Sequence, residues 1–385
     1  MQFNFDEVIN RKNTASIKWD AAPGNDVLPM WVADMDFKTA PAIINALQNR
    51  VGHGIFGYTQ TPPEFYDAIV NWWEAWHGFA PKNEWIIPTA GVIPALSATV
   101  RALTQQGDKV IIQPPVYNHF YITLQNCGCT VVENNLLYND GRYTIDFEDL
   151  EHKASDPEVK LFVMSNPHNP AGRVWTKEEL QRIGDICFKH DVIVISDEIH
   201  SDLVYDGFKH IPFASISESC ILNSITFSSP SKTFNLAGLQ IGYLFTENKN
   251  FRKSIQHTLT LQEMELLSPF AITALIAAYD EGSEWLEALK AYLYSNYVFI
   301  IDFVSKNLPQ LSVVPLQATY LVWVDCSLFN ITSAALAEKL LKEAGLWVNP
   351  GTMYGEVGEG FLRVNIACPR SLLHEGLKRL VKALS

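Results

Sequence analysis

Ile221-Leu222-Asn223-Ser224-Ile225-Thr226-Phe227-Ser228-Ser229-Pro230-Ser231-Lys232-Thr233-Phe234-Asn235-Leu236-Ala237-Gly238 sets one lysine directly behind an apolar run. The run Ile221 to Phe227 predicts a buried strand, and Lys232 stands just past its end among small hydroxyl residues. A lysine so placed is poorly solvated. Desolvation disfavours the ammonium, lowers the pKa and leaves a nucleophilic amine able to form Schiff bases with carbonyl compounds. The competing reading is a surface lysine that snorkels from a buried edge.

Two more apolar runs lead into polar residues in the same way. Lys160 to Met164 precedes Ser165-Asn166-Pro167-His168-Asn169-Pro170-Ala171-Gly172, and Asp191 to Ile195 precedes Ser196-Asp197-Glu198-Ile199-His200. Such runs read as strands of a parallel sheet covered on both faces. Between them Leu180, Ile183, Ile186 and Cys187 recur at helical spacing, with Thr176 as the N-cap. The unit is strand–helix–strand. In open α/β sheets ligands bind outside the carboxyl ends of the strands, which predicts one rim carrying Asn169, Asp197 and Lys232.

These residues resemble those of the fold-type I pyridoxal-phosphate enzymes of the class I/II aminotransferase superfamily. The strings NPHNPAGRVW, VISDEIHSDLVY, SPSKTFNLAGLQIGY and FLRVNIACPR carry the resemblance, in the superfamily's order and spacing. LPMWVADMDF near the start, and GIFGYT before GVIPAL, are similar to the cystathionine β-lyase type of cysteine C–S lyase. The resemblance runs from about Trp19 to the end. It implies an α/β aspartate aminotransferase fold, with a mostly parallel sheet in a large domain and a smaller α+β domain. The expected division is 46–284 for the large domain, with 1–45 and 285–385 forming an N-terminal arm plus the small domain.

The resemblance also assigns roles. Lys232 carries the cofactor, pyridoxal 5'-phosphate, and Asp197 keeps its pyridine nitrogen protonated so that the ring withdraws electrons. Asn169 bonds the ring oxygen, and Tyr117 stacks on the ring. Gly91, Val92 and Ile93 open a helix whose amides suit a phosphate, and Ser229 and Ser231 add hydroxyl donors. Tyr58 reaches the phosphate of a neighbouring subunit, which implies a homodimer. Arg363, inside an apolar strand, matches a substrate carboxylate with its planar fork, and the backbone at Val32 and Ala33 completes that pocket. Each has a plainer reading: a strand-end cap for Asp197, an Asx turn for Asn169, an ordinary aromatic for Tyr117 and an ion pair for Arg363. Two positions depart from the aminotransferase pattern. Gln240 stands where the superfamily has a phosphate-binding arginine, and His200 stands where it has a tyrosine beside the ring oxygen.

The implied reaction is β-elimination at cysteine derivatives such as cystathionine, releasing a thiol, pyruvate and ammonia. An aminotransferase is the alternative. Ser229-Pro230-Ser231-Lys232 also satisfies S-x-x-K, but its K-T-G and S-D-N partners are missing. A non-enzymatic binding module on this fold is a third reading, weakened by the joint retention of Lys232, Asp197, Asn169 and Arg363.

Composition narrows the partners. With 385 residues and 48% apolar content the chain can bury two cores. A net charge of −13 argues against nucleic acid or anionic membrane as partner. The expected substrate is a small amino acid. Six scattered cysteines, with no CxxC or HExxH, argue against a disulfide scaffold or a structural metal. No transmembrane run or signal-peptide layout is found, and a cytoplasmic setting is expected.

Overall fold

Residues 3–24 and 26–384 are described by the structure, a computed structural model. Seven strands form the central sheet, in the order 86–89, 242–245, 224–228, 193–197, 159–165, 109–112, 130–133. Gly242–Phe245 runs antiparallel to both its neighbours, and the other pairings are parallel. Alternate residues of Val159–Ser165 face opposite layers. Leu161 and Val163 pack with Ile195 and Ile225, whereas Phe162 and Met164 pack with Val194. Both faces are therefore buried, which is why these strands read as continuous apolar runs.

Helix Lys177–Lys189 covers one face. Thr176 and Glu179 close a capping box at its start, each side chain bonding the other's backbone amide. The strand before Lys232 is shorter than its apolar run. Ile221 and Leu222 belong instead to a short helix, Glu218–Leu222, because Ser217 accepts from Cys220 N and caps it; the strand spans Ser224–Ser228. A local cap outcompetes apolar continuity here. The neighbouring strand is shifted too, to Ile193–Asp197, so Asp197 is its last residue.

The 25-residue helix Ser283–Asn307 leads to a second sheet, antiparallel, in the order 312–313, 321–325, 361–365, 349–350. Helices Ser333–Ala344 and Arg370–Leu384 complete that part. The N-terminal arm is stitched onto it. Leu28–Pro29 pairs in parallel with Leu346–Trp347, and Asn365 N donates to Met30 O. A charge cluster with Lys18 and Asp36 buried at its centre pins the same arm: Lys18 Nζ lies 2.7 Å from Asp36 Oδ2, and the half-buried Arg11 lies 2.6 Å from Asp34 and 2.7 Å from Asp36. The arm thus passes over the carboxyl ends of the central strands at residues 31–36.

Candidate active site

Three neighbouring strands end at one place. Ser165 is paired with Asp197, and Asp197 with Phe227, five residues before Lys232. Beyond Ser228 the chain makes a single helical turn, Pro230–Thr233, which turns Lys232 back over the strand ends. There Lys232 Nζ donates to the arm carbonyl of Ala33 at 2.7 Å. Lys232 and Asp197 line one cavity of about 210 Å³ together with Asn169, His200, Tyr117 and Ala33.

Burial governs the electrostatics. It lowers the Lys232 amine to about 8, helped by Arg363 and opposed by Asp34 and Asp197. It raises Asp197 to about 7, against the Ile199 amide and Lys232. Burial, Lys232 and Arg363 push His200 down to about 3, so its ring is neutral. The Tyr117 phenol rises to about 12, again mainly by burial.

At the other end of the cavity, Gly91 caps helix Val92–Leu103 with φ of 131°. The amides of Val92 and Ile93 open that helix without intrahelical acceptors. Strand 242–245 comes so near that a Cβ on Gly242 would lie 2.9 Å from the Gly91 backbone. Glycine is thus required on both sides of this cradle. Ser231 and Gln240 also line it. Ser229, expected as a second hydroxyl donor, does not. Its hydroxyl donates to Ile241 O at 2.6 Å and accepts from Ser231 N at 3.0 Å. A hydroxyl has one proton, so Ser229 keeps none for a ligand.

Arg363 is buried beside the cavity. It donates to Asn169 Oδ1 at 3.2 Å and to Trp31 O at 2.9 Å, its guanidinium lies 4.8 Å from the Tyr354 ring centre, and its Nε has no hydrogen-bond partner among the described residues. No carboxylate pairs with it among the described residues. Because Asn169 Oδ1 accepts from Arg363, the Asn169 amide nitrogen is left to donate into the cavity. Tyr58 stands apart. It is 99% exposed, in a surface groove with Phe56 and Leu266.

These features fit pyridoxal phosphate. A buried carboxylate with one weak backbone donor, Ile199 N at 3.2 Å, calls for a cationic partner such as a protonated ring nitrogen. Among the described residues His200 Nδ1 is buried without a hydrogen-bond partner, and Ser231 lines the cavity. The open amides and the glycine cradle suit a phosphate.

Several contributors went unread in the sequence. Tyr320 OH donates to the same Ala33 carbonyl at 3.0 Å, and Asn349 Nδ2 bridges Trp31 O and Tyr354 OH at 3.1 and 2.9 Å. Their aromatic and amide types carry no local signal, because only the docking of the arm brings them to the site.

Comparison with known proteins agrees with this geometry. The pattern of the family described as aminotransferase class I and II matches residues 25–380. Cystathionine beta-lyase PatB of Bacillus subtilis is 44% identical over 99% of this chain and all of its own. A pyridoxal-phosphate-bound putative aminotransferase from Clostridium difficile superposes with a TM-score of 0.98 at 43% identity, covering both chains completely. Cystalysin of Treponema denticola, solved with a pyridoxal 5'-phosphate cofactor, gives 0.97 at 37% identity over 100% of this chain and 99% of that one.

Proposed function

The chain belongs to the class I and II aminotransferase family, and from that premise we propose that it is a pyridoxal-phosphate-dependent carbon–sulfur lyase. It acts on small amino-acid substrates, cleaving the Cβ–S bond of cysteine derivatives such as cystathionine. With one water consumed, the products are a thiol, pyruvate and ammonia. The observation that carries elimination over transamination is the ranking of its relatives. Those named cystathionine beta-lyase reach 44% and 32% identity, whereas the aspartate and N-acetyl-LL-diaminopimelate aminotransferases stand at 25–27%; the Clostridium difficile protein at 43% is named only as a putative aminotransferase.

Bound in the cavity, pyridoxal phosphate supplies an electron sink for the pair left on Cα when its proton departs. The residues do the rest. Lys232 Nζ holds the cofactor and, once released, takes the Cα proton; its lowered pKa supports that role. Asp197 holds a proton on the ring nitrogen, and Asn169 donates to the ring oxygen. His200, neutral, borders the cavity. The Val92 and Ile93 amides with Ser231 receive the phosphate, and Gly91 allows the close approach. Tyr117 covers a ring face. Arg363 pairs with the substrate carboxylate, supported by its free Nε and by the absence of a carboxylate partner among the described residues. Ala33 offers its carbonyl to the Lys232 amine.

The working unit is a homodimer in which Tyr58 reaches the partner's phosphate. The near-complete exposure of Tyr58, beside exposed Ile55, Phe56 and Leu266, supports this. The division into 46–284 and 1–45 with 285–385 is supported by the two sheets and the long helix between them. Residue 46 falls inside helix Pro41–His53, so the physical break is the start of that helix.

The deciding assay mixes purified holoenzyme with cystathionine and with an amino acid plus a keto acid. Stoichiometric thiol and pyruvate are expected. Amino transfer without thiol release would establish the aminotransferase instead.

A further inference from the structure

We propose that Asp202 and Thr233 form a positioning device that sets the direction of Lys232. This rests on the reading of Lys232 as the amine that holds the cofactor and takes the Cα proton. The turn that carries Lys232 has four residues, too few for a helix to hold its own shape in water. Its orientation must come from outside. Ser229 caps its start, and Asn235, just beyond its end, ties to the arm by bonds with Met35 and Phe37, each 3.0 Å. On its flank Thr233 Oγ1 donates to Asp202 Oδ2 at 2.7 Å.

Asp202 is itself immobilised. Its other oxygen accepts from Trp72 Nε1 at 3.0 Å and lies 2.9 Å from His77 Nε2. All four residues are buried. A hydrogen bond to a buried carboxylate is stronger than a neutral one, and a β-branched side chain has little χ1 freedom. The bond therefore fixes the rotation of the turn, and with it the path of the adjacent lysine. Asp202 follows Asp197 by five residues in one buried segment. The carboxylate that serves the ring nitrogen and the amine that serves Cα are thus referred to one frame. Neither Asp202 nor Thr233 lines the cavity. They act through Lys232, as positioning residues.

The test begins with wild-type holoenzyme, reduced with borohydride and mapped by peptide. A label away from Lys232 overturns the reading of the lysine and this proposal with it. With the label on Lys232, apoprotein carrying Thr233→Val is mixed with pyridoxal phosphate, and covalent attachment is followed by absorbance. Attachment slowed about 10- to 100-fold is expected, the scale of a displacement near 1 Å. In turnover, KM should hold while kcat falls and the isotope effect with Cα-deuterated cystathionine grows. Thr233→Ser keeps the hydroxyl and should restore both rates. A merely structural threonine would lower thermal stability and leave attachment and isotope effect unchanged, which overturns the proposal. Equal slowing in the Val and Ser variants overturns it as well. If Thr233→Val does not fold, Asp202→Asn serves, because its amide weakens the bond to Thr233. Slowing smaller than 10-fold supports the device, and a wild-type attachment rate overturns it.

Discussion

Lys232 and Arg363 show how a residue's surroundings set its chemistry. Lys232 meets a carbonyl, not a carboxylate, so nothing adjacent compensates fully for burial, and its amine falls to about 8. Its neutral form is the nucleophile, so capture of pyridoxal phosphate by the apoprotein should accelerate as pH rises through about 8 and then level. A solvated lysine would keep accelerating towards about 10.4. Stopped-flow absorbance against pH reads the difference, and Lys232→Ala should abolish borohydride fixation. Among the described residues Arg363 is bound only by neutral acceptors. Arg363→Ala should raise KM about 10- to 100-fold, the worth of one or two charged hydrogen bonds. Arg363→Lys should recover only part, since an ammonium cannot make two parallel bonds. Normal KM together with lost cofactor binding would mark Arg363 as structural.

At the scale of elements, the arm has little regular structure yet delivers Trp31, Val32 and Ala33 to the site. Its placement depends on Asp36. Burial alone would raise that carboxyl, but Lys18, Trp19 and Arg11 outweigh it and hold it below its ordinary value. A carboxyl depressed in the folded state stabilises above its unfolded value of about 3.9, and that contribution fades as the pH falls further. Lys18→Ala leaves Asp36 with less compensation and should cost about 3–5 kcal/mol. Urea unfolding at pH 7 measures this. A loss below 1 kcal/mol would mean that Arg11 and Trp19 suffice. The sequence shows this arm only as a stretch of low periodicity, because its order comes from pairing with residues 346–347 and 365, more than three hundred positions away.

For the whole molecule, the exposed segment around Tyr58 has a consequence for assembly. Sedimentation should give the mass of two chains. If each site takes Tyr58 from its partner, Tyr58→Ala and Lys232→Ala damage different halves of a site. Mixed under conditions that exchange subunits, the two inactive variants should regain activity, up to about half of the sites in the hybrid dimers being intact. No recovery, with exchange verified by mass, would place Tyr58 outside the active site. Among the described residues, no helix is long and apolar enough to cross a membrane.

The sequence alone determined the strand–helix–strand frame, the rim carrying Asn169, Asp197 and Lys232, and the capped helix from Thr176. These rest on short-range chemistry: apolar runs, caps, and polar residues at strand ends. The tertiary structure decided the rest. It spent the Ser229 proton on Ile241 O and set Asn169 Oδ1 against Arg363. It brought Tyr320, Tyr354 and Asn349 to the site, and left Tyr58 outside its own chain's cavity. Each of those outcomes depends on which acceptor or donor a fold brings within about 3 Å, and residue identity carries no record of partners so distant in the chain.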